Sequence, residues 1–167
     1  MSRSQEDAAA TPELDLVWRF CRFDALTVGE LQYIYMARQK VFAIEQQCAY
    51  LDADGFDEQA FHLAAWSRQH REPLAYARLI DPGVKYVEAS MGRVITVGPG
   101  RGRGLGRELV ARALDQAAGV WLGGALRISA QTRLARFYEG FGFVAVGPPY
   151  LEDGIDHTEM LRAGHAA

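Results

Sequence analysis

Two cysteines in 167 residues, Cys21 and Cys48, are too few and too far apart for a disulfide framework or for the C-x-x-C spacing of a zinc site. No apolar run approaches the ~20 residues of a membrane span, and no charged segment followed by an apolar one opens the chain as a secretory leader would. Positive charge is not in excess: 18 Lys and Arg against 21 Asp and Glu leave a formal net charge of −3. That balance disfavours a dedicated nucleic-acid binder, whose affinity comes from neutralising phosphates. What remains is a chain 49% hydrophobic and 23% charged, the size of one domain, with no membrane or nucleic-acid partner and with the cytoplasm as its expected compartment. Residues 1–12 are small and polar and read as a flexible tail ahead of a single domain over residues 13–167.

Lysine is missing where a nucleotide-binding loop would need it. Arg101-Gly102-Arg103-Gly104-Leu105-Gly106-Arg107 follows the β-branched run Val94-Ile95-Thr96-Val97 and leads into a helical pattern over residues 108–118. Strand, glycine-rich turn and helix is an arrangement that binds phosphate. The first helical amides have no intrahelical partner, and the peptide dipoles add partial positive charge there. Glycines let the backbone curl and an anion approach. A P-loop would need G-x-x-x-x-G-K-[ST], and neither the lysine nor the hydroxyl is present. A dinucleotide fingerprint needs G-x-G-x-x-G, whereas Gly102, Gly104 and Gly106 are one residue too close. Three arginines on the loop suit a small polyanion.

Residues 14–23 alternate as a strand with Leu16, Trp18 and Phe20 on one face. Thr27 and Glu30 have capping-box spacing ahead of a helix carrying Leu31, Ile34, Tyr35, Arg38, Val41 and Phe42. Residues 50–58 read as a loop whose Asp52, Asp54, Asp57 and Glu58 either attract a cationic amine or are simply solvated. It is not an EF-hand, because Tyr50 and Phe61 fall where the first and twelfth ligands must be carboxylates. Residues 60–67 and 73–80 pattern as a hairpin turning through Arg68-Gln69-His70-Arg71, residues 91–97 as a central strand and residues 126–131 as a short buried one. Leu134, Phe137, Tyr138 and Phe141 recur at helical spacing up to a terminating Gly142, and strands are predicted over residues 143–146 and 157–162. The order predicts one α/β domain.

Arg101, Gly104 and Gly106 fit R/Q-x-x-G-x-G/A, which resembles the pyrophosphate loop of the GNAT acyltransferases. Phe137-Tyr138, closed by Gly142-Phe143, resembles that family's later signature. Similarity to the ElaA-like branch is carried by Arg38-Gln39-Lys40-Val41-Phe42-Ala43-Ile44-Glu45-Gln46-Gln47-Cys48-Ala49-Tyr50, by Gly92-Arg93-Val94 and by Glu152-Asp153-Gly154-Ile155-Asp156-His157, within residues 26–160. The resemblance implies an α/β fold with a mixed, mostly antiparallel central sheet, flanked by helices and splayed between strands four and five, where the acyl-CoA lies. It also implies acetyl-CoA as cosubstrate, no metal, a small-molecule or peptide amine as acceptor, and it admits a homodimer.

On that resemblance the backbone of Gly102, Arg103, Gly104, Leu105, Gly106 and Arg107 holds the pyrophosphate, and the Arg101 and Arg103 side chains add charge. The edge of Ile95-Thr96-Val97 pairs with the pantetheine arm, as a peptide adds to a sheet. A backbone N–H near Ile95 polarises the thioester; losing such a donor costs on the order of 10²–10³ in turnover. Tyr138 is the candidate general acid, since a phenol near 10 can protonate a thiolate near 8.5. Gln131 stands where many relatives place an Asn that touches the cofactor. The base for the amine is one of Glu45, Asp57, His62, Glu152 and His157. Competing functions are a non-catalytic CoA-binding or sensing domain and a nucleotide-binding module, the second disfavoured by the glycine spacing.

Overall fold

The computed structural model describes residues 14–164, so the tail expected over residues 1–12 lies outside the described residues. The chain opens with strand β1 (Leu16–Arg22) and then helix α1 (Val28–Gln39). Thr27 caps α1 as its sequence requires: its hydroxyl accepts from Glu30 N–H at 3.1 Å, and the Glu30 carboxylate accepts from Thr27 N–H at 2.8 Å. The helix then widens into a π-helical turn (Lys40–Glu45), where Gln46 N–H reaches back five residues to Val41 C=O. The buried stripe is Ile34, Ala37, Arg38 and Val41.

Strands β2 (Ala60–Ser67), β3 (His70–Ile80) and β4 (Ala89–Thr96) continue the sheet antiparallel. The β2–β3 turn is tighter than the predicted four residues. Ser67 pairs with His70, so only Arg68 and Gln69 turn, and His70 and Arg71 extend a solvent-facing strand end instead. β3 is buried without a break from Leu74 to Ile80, with α1 and the later helix α2 (Leu105–Val120) packed on it. α2 begins three residues before the predicted start. Gly104, at φ +75°, takes the N-cap, and Leu105, Gly106 and Arg107 form the first helical turn.

β5 (Leu126–Gln131) lies parallel to β4 and is paired with it only at Ala89–Leu126 and Ser90–Arg127. Beyond those pairs the two strands separate, which is the predicted splay. The full order is β1-β2-β3-β4-β5-β8-β6, with β6 (Val144–Ala145), β7 (Tyr150–Glu152) and β8 (Ile155–Arg162); β7 pairs β8, and every contact but β4–β5 is antiparallel. The helix predicted after β5 is split into a 3₁₀ turn (Thr132–Leu134) and the five-residue α3 (Ala135–Glu139). Gly142, at φ +85°, reverses the chain just after it. β7 was not anticipated. It forms with β8 a two-residue hairpin through Asp153 (φ +49°) and Gly154 (φ +80°), a primed turn for which Asp-Gly is the favoured pair. Among the described residues no helix is long and apolar enough to cross a membrane.

Candidate active site

The separation of β4 from β5 opens a cleft with the glycine loop at its upper end. Gly100 is glycine for packing, since a Cβ there would lie 2.7 Å from Leu105 Cδ2 and 3.0 Å from Leu74 O. The following glycines have no such reason. Around a Cβ at Gly102 or Gly104 no protein atom comes within 4 Å, although both hold positive φ. Gly106 lacks even that constraint: its Cβ would meet only Thr96 Cγ2, at 3.8 Å. A glycine in a helix costs about 1 kcal/mol against alanine, so its retention here leaves room for something outside the chain. Gly104 C=O accepts from both Arg107 N–H (3.0 Å) and Glu108 N–H (3.1 Å), while the amides of Leu105 and Gly106 head the helix one turn too early for a helical acceptor. This donor-rich, unobstructed cradle fits a diphosphate.

The loop side chains are committed differently from expectation. Arg101 folds back, donating from Nε to Thr96 C=O at 2.9 Å and from Nη2 to Glu45 at 2.6 Å. The Arg107 guanidinium stacks over Phe137 and Phe141, 5.9 and 5.4 Å from the ring centroids, tying α2 to α3. Arg103 is exposed on the loop, and Leu105 is buried, leaving only its backbone to face the cradle. Ile95 also needs a correction. Val97 N–H donates to Leu74 C=O at 3.0 Å, and Ile95 pairs with Tyr76, so strand alternation turns the Ile95 amide toward β3 and the Thr96 amide toward the cleft. A bulge lies just below: Tyr76 and Arg78 oppose Ile95 and Gly92, and Arg93 takes φ +53°. Alternation from Ile95 therefore directs the Val94 amide into the cleft.

Below the bulge the cleft widens into a cavity of about 330 Å³, bordered by Gly92, Arg93 and Val94 of β4, Ala130 and Gln131 of β5, and Tyr138 of α3. Tyr138 is 6% exposed, edge-on to Phe137 and Phe143, and burial pushes its phenol up to about 12. Among the described residues its hydroxyl has no hydrogen-bond partner, and burial keeps it protonated at neutral pH. Gln131 bridges the cleft: its Nε2 donates to Gln46 Oε1 at 2.9 Å, and its Oε1 accepts from Arg133 at 3.0 Å.

The five base candidates separate cleanly. Asp57 is buried, accepting from Arg38 Nη1 at 2.8 Å and Arg78 Nη1 at 2.9 Å; burial opposes its ionisation, but the two guanidinia outweigh it and hold the carboxyl low. His62 is 1% exposed, with both ring nitrogens engaged by Tyr76 Oη (2.8 Å) and Asp57 C=O (3.0 Å), and burial lowers its affinity for a proton. Glu45 is paired with Arg101. Only Glu152 and His157 border the cavity. His157 Nδ1 lies 2.9 Å from Ile155 C=O; a carbonyl only accepts, so Nδ1 carries a proton, and in the neutral ring the lone pair is on Nε2.

The acidic loop is neither an amine lure nor a solvated surface. Asp52 accepts from Arg38 Nε and Arg93 Nε, both at 2.8 Å, and Asp54 accepts from Arg78 at 2.6 and 2.7 Å and from Arg93 at 3.1 Å. Three carboxylates and three guanidinia thus neutralise one another, and only Glu58 stays exposed. Sequence reading missed Arg78 and Arg93. The available signal was an arginine inside the apolar run Leu74-Ala75-Tyr76-Ala77-Arg78-Leu79-Ile80, which demands buried partners.

Residues 37–162 match the acetyltransferase (GNAT) domain family. A UPF0039 protein of Synechocystis is 40% identical over 148 residues, 89% of this chain and 96% of that one. Escherichia coli ElaA is 33% identical over 147 residues, 87% of this chain and 95% of its own; its crystal structure superposes with a TM-score of 0.82, covering 88% and 99%. The crystal structure of an acyl-CoA N-acyltransferase from Pseudomonas aeruginosa is 41% identical and gives a TM-score of 0.84 over 89% of this chain and 99% of that one. A parallel β4–β5 pair that splays beside a glycine-headed helix, found in a chain with these relatives, places the protein in the GNAT acyltransferase superfamily, in its ElaA-like branch.

Proposed function

We propose that this protein transfers an acetyl group from acetyl-CoA to a primary amine of a small molecule or peptide by direct attack on the thioester. The observation that carries the reading is a glycine turn heading α2, open around Gly102 and Gly104, on the same splayed β4–β5 edge as a cavity bordered by Tyr138 and His157. The amides of residues 102–106 would hold the diphosphate, the Arg107 N–H being taken by Gly104 C=O, and the Thr96 edge would pair with the pantetheine arm.

The chain's own residues then supply the acid and the base. The Val94 amide donates to the thioester oxygen as negative charge develops on it. The amine nitrogen attacks the carbonyl carbon, and its proton passes to His157 Nε2. The carbon–sulfur bond breaks, and the departing thiolate takes the Tyr138 hydroxyl proton, which solvent later replaces. Amide and free thiol are the products.

Calorimetry with acetyl-CoA on the wild type and on Gly106→Glu tests the reading. Binding in the wild type and its loss in a folded variant support it, because the new side chain occupies the cradle with like charge. A well-folded wild type that does not bind acetyl-CoA overturns it.

A further inference from the structure

The lower cavity has hydrogen-bond donors left over. Lys85, on the β3–β4 connection, borders it; among the described residues its ammonium makes no hydrogen bond and no ion pair within 4 Å, lies 5.4 Å from the Tyr86 ring centroid, and feels the Glu152 and Asp54 charges at longer range. The hydroxyls of Tyr50, Tyr86 and Ser90, also in the wall, have no hydrogen-bond partner among the described residues. Burial pushes both phenols up to about 12, so they remain donors at neutral pH. Arg78, 1% exposed and part of the same wall, has a buried Nε–H with no acceptor. An unmet buried donor costs about 1–3 kcal/mol, which a native fold rarely tolerates without a use.

The carboxylates nearby do not meet this need. Asp52 and Asp54 are taken up by Arg38, Arg78 and Arg93, and Asp57 by Arg38 and Arg78. Among the described residues, the carboxylates bordering the cavity that no arginine takes up are Glu152, 3.8 Å from His157 Nδ1, and Asp153. Gly92 keeps the space open, for a Cβ there would meet no protein atom within 4 Å. At about 330 Å³ the cavity is near the lower end of ligand sites, which suits a small acceptor.

Building on the acetyl-transfer reading above, we infer that the acceptor is an amine that also bears a carboxylate, a free amino acid, with its carboxylate held by Lys85 and the Tyr50, Tyr86 and Ser90 hydroxyls and its amine turned to Glu152 and His157. A polyamine fits less well. It would need several free carboxylates, and it would meet Lys85 as a like charge. A peptide N-terminus offers an amide where Lys85 calls for an anion.

The test follows thiol release from acetyl-CoA by the full-length protein with the standard amino acids, their amides, and the matched amines that lack only the carboxylate, such as histamine for histidine and cadaverine for lysine. One or more free amino acids should react, with their amides and decarboxylated amines weaker. Lys85→Met should raise KM for the acid about tenfold or more with kcat little changed, while the matched amine is unaffected. Circular dichroism and acetyl-CoA affinity of the variant verify that it is folded. Amides or plain amines that react as well as the acids, or a Lys85→Met protein with unchanged selectivity, overturn the inference. So does a protein that binds acetyl-CoA yet acetylates no amino acid, an outcome that leaves the cofactor reading standing. Failure to bind acetyl-CoA removes both.

Discussion

Arg38 Nη1 lies 2.8 Å from Asp57 Oδ1 with both side chains out of water, the arginine 0% and the aspartate 5% exposed. The pair joins α1 to the loop before β2, and through Arg78, Asp54, Arg93 and Asp52 it extends to β3 and to the β4 bulge. An ionic core of this kind is stable because each charge is met. Removing one partner leaves the other buried and uncompensated.

Arg38→Met and Asp57→Asn should therefore each destabilise the fold by about 3–5 kcal/mol, read from urea denaturation midpoints. A loss under 1 kcal/mol would mean that the network relaxes around the gap.

Acid should dismantle the same core. Burial opposes ionisation of Asp54, but the Arg78 hydrogen bonds and the Arg78 and Arg93 charges outweigh it and hold the carboxyl at about 2. A depressed folded-state value means that the stabilisation is complete above the unfolded carboxylate range and disappears as pH falls through the folded value. Between roughly pH 4 and pH 2 stability should drop on the order of 2 kcal/mol from Asp54 alone, with Asp57 shifting in the same direction. Thermal melts in that window check it, and Asp54→Asn should flatten the slope.

Tyr138→Phe removes only a hydroxyl that has no hydrogen-bond partner among the described residues. It should cut turnover about 10²-fold while leaving acetyl-CoA affinity and melting temperature nearly unchanged. Unaltered turnover would remove Tyr138 from the mechanism.

His157→Ala should lose about 10²-fold in turnover and recover part of it in added imidazole, which can occupy the vacated space and take the proton. Thiol release measured against imidazole concentration distinguishes this from a structural defect, which imidazole would not repair.

Thr27→Ala deletes one half of the capping box and should cost about 1 kcal/mol, seen as a lower melting temperature with activity retained.

Local chemistry was legible in the sequence. The Thr27–Glu30 box, the positive φ of Gly102 and Gly104 and the reversal at Gly142 each depend on contacts within a few residues or on one backbone torsion, and all appear in the fold. So does the splay between β4 and β5 that the family resemblance implied. Where the reading slipped, the cause was also physical. The helix after β5 was overrun because Phe137 and Phe141 keep helical spacing while Tyr138 C=O accepts from both Phe141 and Phe143 and closes the turn early. β7 was missed because its three residues are all exposed and carry no alternating pattern.

The sequence by itself determined the α/β character, most of the order of strands and helices, and a glycine-rich start to the helix after the central strand, because these rest on spacing and torsion. Only the tertiary structure decided which charges are free. Asp52, Asp54 and Asp57 look like solvated carboxylates in the chain, yet Arg38, Arg78 and Arg93 reach them from 14 to 41 residues away and neutralise them. The same long-range packing engages both nitrogens of His62 and, among the described residues, leaves the Lys85 ammonium with no ion pair within 4 Å. Proton affinity and charge availability depend on what is nearby in space, and strand pairing, not chain order, sets those neighbours.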